Sequence, residues 1–144
     1  MKLNIIAVGS LSKEYQDIYK QYIKKIIFFA KINLIEIKEQ KNDNIDLKIK
    51  KETQLILEKI PKNSKVFYLS TNAKQYDSIE FGNLFLDIDN VTFVIGGSNG
   101  VDESYFENKI NFSKMTFPHE LFRIMLIEQI YRSFTIKNNI TYHK

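Results

Sequence analysis

A strand of buried type, Phe93-Val94-Ile95, runs straight into Gly96-Gly97-Ser98-Asn99-Gly100-Val101, the most specific local feature of the 144-residue chain. Glycines at that point let the backbone turn tightly and approach a ligand with no side chain in the way, at the carboxyl end of a strand where α/β proteins bind ligands. The pattern is neither a G-x-G-x-x-G dinucleotide fingerprint nor a G-x-x-x-x-G-K-[ST] phosphate loop, because no lysine with Ser or Thr follows Gly100. A glycine turn after a strand is also simply a turn, so a ligand site needs a second contributor. The run Phe112-Ser113-Lys114-Met115-Thr116-Phe117-Pro118-His119 has the composition for one. Phe112, Met115 and Phe117 offer walls for an adenine, and the hydroxyls and main-chain groups between them can read its edge. The alternative is a core strand leading into a helix cap, with Pro118 at the helix start.

His119 and His143 are the two histidines, and no neighbouring spacing supplies further metal ligands, so no metal site is expected. Cysteine is absent, which excludes disulfides and thiol nucleophiles, and without a G-x-S-x-G elbow neither Ser113 nor Ser133 reads as an activated serine. Glu128 and Arg132 stand four apart and predict a structural ion pair. His119 and Arg123 share a helix face by the same spacing, either beside a ligand or at the surface. The closing Tyr142-His143-Lys144 combines an aromatic, an imidazole and a cation, a set that can stack on an unpaired base and contact a phosphate; otherwise it is a frayed terminus.

Positioning these residues requires a sheet. Lys2 to Val8 reads as a first strand, closed by Gly9 and Ser10, and Tyr15, Ile18, Tyr19, Tyr22, Ile23 and Ile26 follow at helical spacing. Asn33 to Ile37 predicts a second strand, Ile45 to Lys59 a second helix ending near Pro61, Lys65 to Leu69 a third strand, and Ser78 to Leu86 a short helix. Val91 to Ile95 is the strand before the glycine turn. Beyond it we expect a short helix over Asp102 to Lys109, an extended piece over Phe112 to Thr116, and a long helix from His119 to Asn138. Strands alternating with helices imply an α/β fold with a largely parallel sheet and helices on both faces. The length suits a single domain over residues 1–144. Leu121, Phe122, Ile124, Met125, Leu126, Ile127, Ile130, Tyr131 and Phe134 point around most of the last helix, which suggests cover from a symmetric partner; a central core helix in a monomer is the other solution.

With 21 basic and 17 acidic residues the net charge is +4, an excess compatible with a polyanion such as RNA but short of a basic-domain signature. The densest apolar stretch, Ile26 to Ile32, is interrupted by Lys31 and falls short of the roughly 20 residues a bilayer span needs, so a soluble, cytoplasmic protein without a membrane segment is expected.

Taken together, these residues resemble the small SPOUT-class methyltransferases that act on N3 of a pseudouridine in bacterial large-subunit (23S) ribosomal RNA. The resemblance runs through Met1-Lys2-Leu3, Ala7-Val8-Gly9, Ile95-Gly96-Gly97 with Gly100, Thr116 with Pro118-His119, Leu121, Arg123, Glu128, Tyr131-Arg132 and Tyr142-His143. It implies a SPOUT fold with a deep C-terminal trefoil knot, a homodimer, and S-adenosyl-L-methionine as cofactor. Carried over by position, it implies cofactor contacts at Leu69, Gly96, Gly97, Phe112, Ser113, Lys114, Met115, Thr116 and Phe117. It also implies the ribosome as the setting of the RNA substrate.

The reaction so implied is an in-line displacement at a sulfonium methyl by N3, which must lose its proton. Candidate catalytic groups are Arg132, His119 and His143, and candidate RNA contacts are Arg123, Arg132, Tyr142 and His143. Competing readings are a non-catalytic RNA-binding factor that keeps the fold, and a nucleotide-binding regulator built on the glycine turn.

Overall fold

The computed structural model describes residues 1–144. Its elements in chain order are β1 (Lys2–Val8), α1 (Lys13–Ile26), β2 (Lys31–Ile37), α2 (Ile45–Lys59), β3 (Lys65–Leu69), α3 (Ser78–Phe85), β4 (Asn90–Ile95), β5 (Lys109–Ile110) and α4 (His119–Lys137). The five strands form one sheet in the order β2-β1-β4-β3-β5, every pair parallel. The α/β class with a parallel sheet is therefore as the sequence implies.

Period-two alternation divides the strands between two faces. Leu3, Ile5 and Ala7 of β1, Phe67 and Leu69 of β3, and Val91, Phe93 and Ile95 of β4 point into one core, completed by Tyr19 and Ile26 of α1, Phe81 and Phe85 of α3, and Leu126, Ile127, Ile130 and Phe134 of α4. Ile6, Val8, Tyr68 and Val94 point the other way, against Ile56 of α2 and against Val101 and Phe106. One sheet face thus carries three helices and the other carries α2. The apolar last helix is flanked by α1 and α3 in this arrangement. None of residues 122–136 is fully exposed, so its core-facing residues are covered within a single chain.

Two stretches differ from the sequence reading. The helix expected over Asp102 to Lys109 is one 3-10 turn at Glu103–Tyr105. The Asp102 carboxylate accepts from Ser104 N at 3.1 Å and Ser104 Oγ at 2.6 Å, which closes the turn. Phe106 then stacks on Tyr68, ring centroids 5.1 Å apart, and pulls the chain out of helical geometry. The extended piece lies earlier than Phe112 to Thr116: β5 pairs with β3 through Lys109 and Ile110, and Asn111 bridges to Gln75. Residues 112–118 form a loop, shaped by Asn111 Oδ1 accepting from Ser113 N and Ser113 Oγ accepting from Met115 N, each at 3.0 Å. Local side-chain hydrogen bonds of this kind compete with strand pairing.

The helix starts are better specified. Asn44 caps α2 by accepting from Leu47 N at 3.3 Å, and Asp77 with Glu80 forms a reciprocal capping box at α3. At the centre of the larger core Phe93 is fully buried, with ring centroids 5.7 Å from Phe67, 5.7 Å from Phe81 and 5.3 Å from Phe85. A Phe93→Ala variant should lose about 3–5 kcal/mol of unfolding free energy through the cavity it leaves, read as a shifted midpoint in denaturant titration.

Candidate functional site

Three strand ends meet the head of α4. β1 ends at Val8 and turns through Gly9, whose φ of +92° favours glycine, while Gly9 N donates to Ile37 O at 2.8 Å and fixes that turn to the end of β2. β4 runs into Gly96 and Gly97, and the turn closes with Gly100 N donating to Gly97 O at 3.0 Å, Gly100 adopting φ +75°. The first turn of α4 then reaches all of these. His119 Nε2 donates to Gly96 O at 2.9 Å, the Glu120 carboxylate accepts from Ser12 N, and Arg123 Nη1 donates to Gly9 O at 3.3 Å.

A cavity of about 610 Å³ opens between the glycine turn and the 112–118 loop. Its size falls within the usual small-ligand range. Leu69, Ile95 and Phe117 give it apolar walls, and Ser70, Asn111, Ser113 and Thr116 supply polar groups. Gly96 lines it with backbone alone: a Cβ there would stand 3.0 Å from Val101 Cγ1 and 3.2 Å from both Gly100 C and the Tyr68 hydroxyl. Burial pushes the Tyr68 hydroxyl up to about 12, so at neutral pH it is an un-ionised donor at the cavity wall.

Helix α2 supports the turn from behind. Glu52 is fully buried, accepts from Gln40 N at 2.8 Å through Oε2, and places Oε1 where a Cβ on Gly97 would meet it at 2.9 Å. Lys48 Nζ donates to Asn99 Oδ1 at 2.9 Å and Ser98 Oγ at 3.2 Å and pairs with Glu39 at 3.0 Å. Thr53 Oγ1 accepts from Asp102 N at 3.0 Å. These three residues were missed by the sequence reading. The i, i+4 spacing of Lys48 and Glu52 was the available signal, but charged residues on an amphipathic helix ordinarily face water.

The structure brings together Leu69, Gly96, Gly97, Ser113, Met115, Thr116, Phe117 and His119 around the cavity. It leaves two of the expected cofactor contacts out of the lining. Phe112 turns inward, its ring 5.5 Å from Phe81 and 5.3 Å from Phe122, and Lys114 projects to solvent. Arg123, expected on the RNA side, is instead the largest fully buried side chain. Its Nη2 lies 2.9 Å from Glu36 Oε2 as an ion pair, though poorly aligned as a hydrogen bond, so this cation is committed to the interior.

Electrostatics separate the two histidines. A carbonyl can only accept, so Gly96 O fixes the proton of a neutral His119 on Nε2 and leaves Nδ1 as a proton acceptor. Burial, aided by the positive charge of Arg123, holds the His119 pKa below the ordinary histidine value. His143 Nδ1 instead accepts from Arg132 Nη1 at 3.1 Å, which leaves its Nε2 as a donor. Tyr142 and His143 are docked on α4: Arg132 pairs with Glu128 at 2.7 Å as its spacing implies, Tyr142 donates to the same carboxylate at 3.0 Å, and the guanidinium lies 4.8 Å from the Tyr142 ring centroid.

This second cluster is remote from the first. Arg132 lies thirteen positions beyond His119 along α4, about 20 Å at 1.5 Å per residue. One chain therefore presents a cofactor-sized cavity with a neutral imidazole at one end of α4, and a rigid aromatic and cationic cluster at the other.

A family profile described as "Predicted SPOUT methyltransferase" matches residues 1–143. A relative from Metamycoplasma arthritidis (strain 158L3-1), named Ribosomal RNA large subunit methyltransferase H, is 67% identical over 144 residues, spanning 100% of both chains. Proteins of the same name from Mycoplasmopsis pulmonis (strain UAB CTIP) and Mesomycoplasma hyopneumoniae (strain J / ATCC 25934 / NCTC 10110) are 66% and 42% identical; the match spans 100% of both chains for the first, and 99% of this chain and 98% of the relative for the second. A glycine turn backed by α2, a cavity at the strand ends and likeness over essentially the whole length agree: the chain belongs to the SPOUT methyltransferase family.

Proposed function

We propose that the protein transfers a methyl group from S-adenosyl-L-methionine to N3 of a pseudouridine in 23S ribosomal RNA, in the assembled ribosome and in the cytoplasm. The observation that carries this reading is the cavity walled by Gly96, Leu69, Phe117, Ser113 and Thr116, at the strand ends of a SPOUT chain whose relatives are named for large-subunit ribosomal RNA. Its apolar walls suit the adenine and its hydroxyls and main-chain groups suit the polar edges of an adenosine. When bound, the cofactor supplies a methyl group on a cationic sulfur, so that forming the N3–C bond and breaking the S–C bond leaves a neutral thioether. The resemblance also implies the trefoil knot, and the chain path is compatible with it. β5 pairs at the β3 edge of the sheet, whereas α4 starts beside Gly96 and packs on α1 and α3.

The chain's own contribution begins with the N3 proton. His119 is neutral, has Nδ1 free to accept, and is held at the cavity wall by Gly96 O, so it is the residue assigned to receive that proton. His143 is assigned to recognition, because its acceptor nitrogen is already used by Arg132. Arg132, Tyr142 and His143 can stack on and pair with unpaired RNA. Since about 20 Å of helix divides them from His119, both clusters can act on one nucleotide only if they come from different subunits. That separation, with Met125 half-covered and Leu121 exposed on α4, supports the homodimer.

A Gly96→Val variant should unfold cooperatively yet lose saturable heat of binding to S-adenosylmethionine in calorimetric titration, whereas a wild-type protein that folds but binds none would support the RNA-binding reading. His119→Gln should lower kcat by about 10²–10⁴-fold. In the wild type, the acid limb of the kcat profile should fall below the ordinary histidine value of about 6.5, since the neutral ring is retained as pH drops until the lowered pKa is passed. The stability contributed by this depressed pKa has the same sign, full above the unfolded value and lost on acidification. Finally, co-expressing His119→Gln with Arg132→Ala subunits should restore about one quarter of wild-type sites by statistical pairing, though each variant alone is inactive. No recovery in the mixed dimers would exclude a site shared between subunits.

A further inference from the structure

The glycine turn has a cavity on each side. Besides the cofactor-sized one, a second of about 570 Å³ lies among the ends of β1, β2 and β4, lined by Gly9, Glu36, Lys38, Gly97, Ser98 and His119 among others. Gly97, Ser98 and His119 belong to both. The two cavities therefore adjoin at Gly97, Ser98 and the His119 imidazole. A methyl donor in the first cavity and a methyl acceptor in the second would be neighbours at that shared boundary, as an in-line transfer requires.

Two carboxylates border the second cavity, and their surroundings set them apart. Glu39 is used by Lys48 at 3.0 Å and Ser98 at 3.2 Å. Glu36 has Oε2 2.9 Å from the buried Arg123 and keeps 40% of its side chain exposed, with no hydrogen bond from the chain to Oε1. An anion so anchored, with one oxygen left over, is a preorganised acceptor for an N–H group.

Pseudouridine differs from uridine by one such group. Its ribose is attached through C5, so N1 carries a hydrogen; in uridine N1 carries the ribose and that donor does not exist. Resting on the methyltransferase reading above, we propose that the second cavity receives the acceptor base, and that Glu36 is the specificity-determining residue which accepts N1–H while His119 faces N3. Uridine in the same place leaves a charged acceptor unpaired. A charged hydrogen bond of this kind corresponds to roughly tenfold to a hundredfold discrimination.

Replacing the carboxylate by an amide inverts its reading. In Glu36→Gln the amide oxygen is held by Arg123, so the NH₂ faces the cavity and opposes N1–H, donor to donor. A second variant, Glu36→Met with Arg123→Met, removes the buried pair without leaving an unpaired charge, an exchange that folded proteins tolerate.

The test compares kcat/KM on ribosomes carrying pseudouridine or uridine at the target position, for wild type and both variants, with S-adenosylmethionine titrated calorimetrically into each. The expected result is a wild-type preference for pseudouridine that falls about tenfold or more in at least one variant with cofactor affinity within about twofold of wild type, since Glu36 lies outside the first cavity. An unchanged preference in every variant that binds cofactor normally, or a wild type indifferent to the two bases, overturns the assignment of Glu36. A wild type that binds cofactor but methylates neither substrate overturns the acceptor reading itself, and the role of Glu36 with it.

Discussion

A fully buried guanidinium sets the geometry of this protein. Arg123 sits one helical turn into α4 with no access to water, and a buried charge without partners costs several kcal/mol. It finds them in the Gly9 carbonyl at 3.3 Å and the Glu36 carboxylate at 2.9 Å, at the ends of β1 and β2. Meeting that requirement brings the start of the last helix against strands far away in sequence. With Arg123 seated, His119 falls on Gly96 O and Glu120 on Ser12 N, and the three strand ends bordering the site are fixed to one helical turn. Removing one partner while leaving the other is therefore much worse than removing both.

The glycine turn is held from the opposite side by α2, and the two supports do different work. Those from α4 are made to backbone and locate the turn. Those from α2 use Lys48, Glu52 and Thr53, and shape the turn from beneath by occupying the space any side chain on Gly97 would need. Backbone can then serve as a wall with ligand space on both sides, which a bulkier residue would fill. Rigidity matters here because methyl transfer depends on alignment, and a displacement of about 1 Å between reacting atoms can cost a hundredfold in rate.

Much of this was legible in the sequence because the strands are short, apolar and alternating, the first two helices carry clear periodicity, and the last is marked by Pro118 at its start and a long apolar run. The glycine turn could be placed at a strand end from Phe93 to Gly100 alone. What escaped were features decided by tertiary contacts. An arginine inside an apolar helix face is a visible oddity, but its direction depends on Glu36, which the chain places eighty-seven residues earlier. Lys48 and Glu52 look like solvated helix charges until the turn is folded over them. The short helix expected after Asp102 fails because Phe106 has a better partner in Tyr68 than in its own turn, and β5 is too short at two residues for periodicity to reveal. Nor does periodicity show that α1 and α3 flank α4 and cover its core-facing side, leaving only part of the helix for a partner to cover.

Arg123 also governs the chemistry next door. Its charge opposes protonation of His119, reinforcing the effect of burial, while the Gly96 carbonyl and the acidic Glu39 and Glu120 act in the other direction. The ring is thereby kept neutral and able to accept, at the cost of a weaker base. If His119 takes the imide proton as proposed, that compromise is workable when proton loss is coupled to N3–C bond formation, because the imidazolium need not then be formed in advance of the methyl transfer. Burial of the ring, assisted by the cation that closes the fold, thus keeps the site's imidazole neutral, and because the same contacts seat the α4 head, its structural and chemical roles cannot be varied independently.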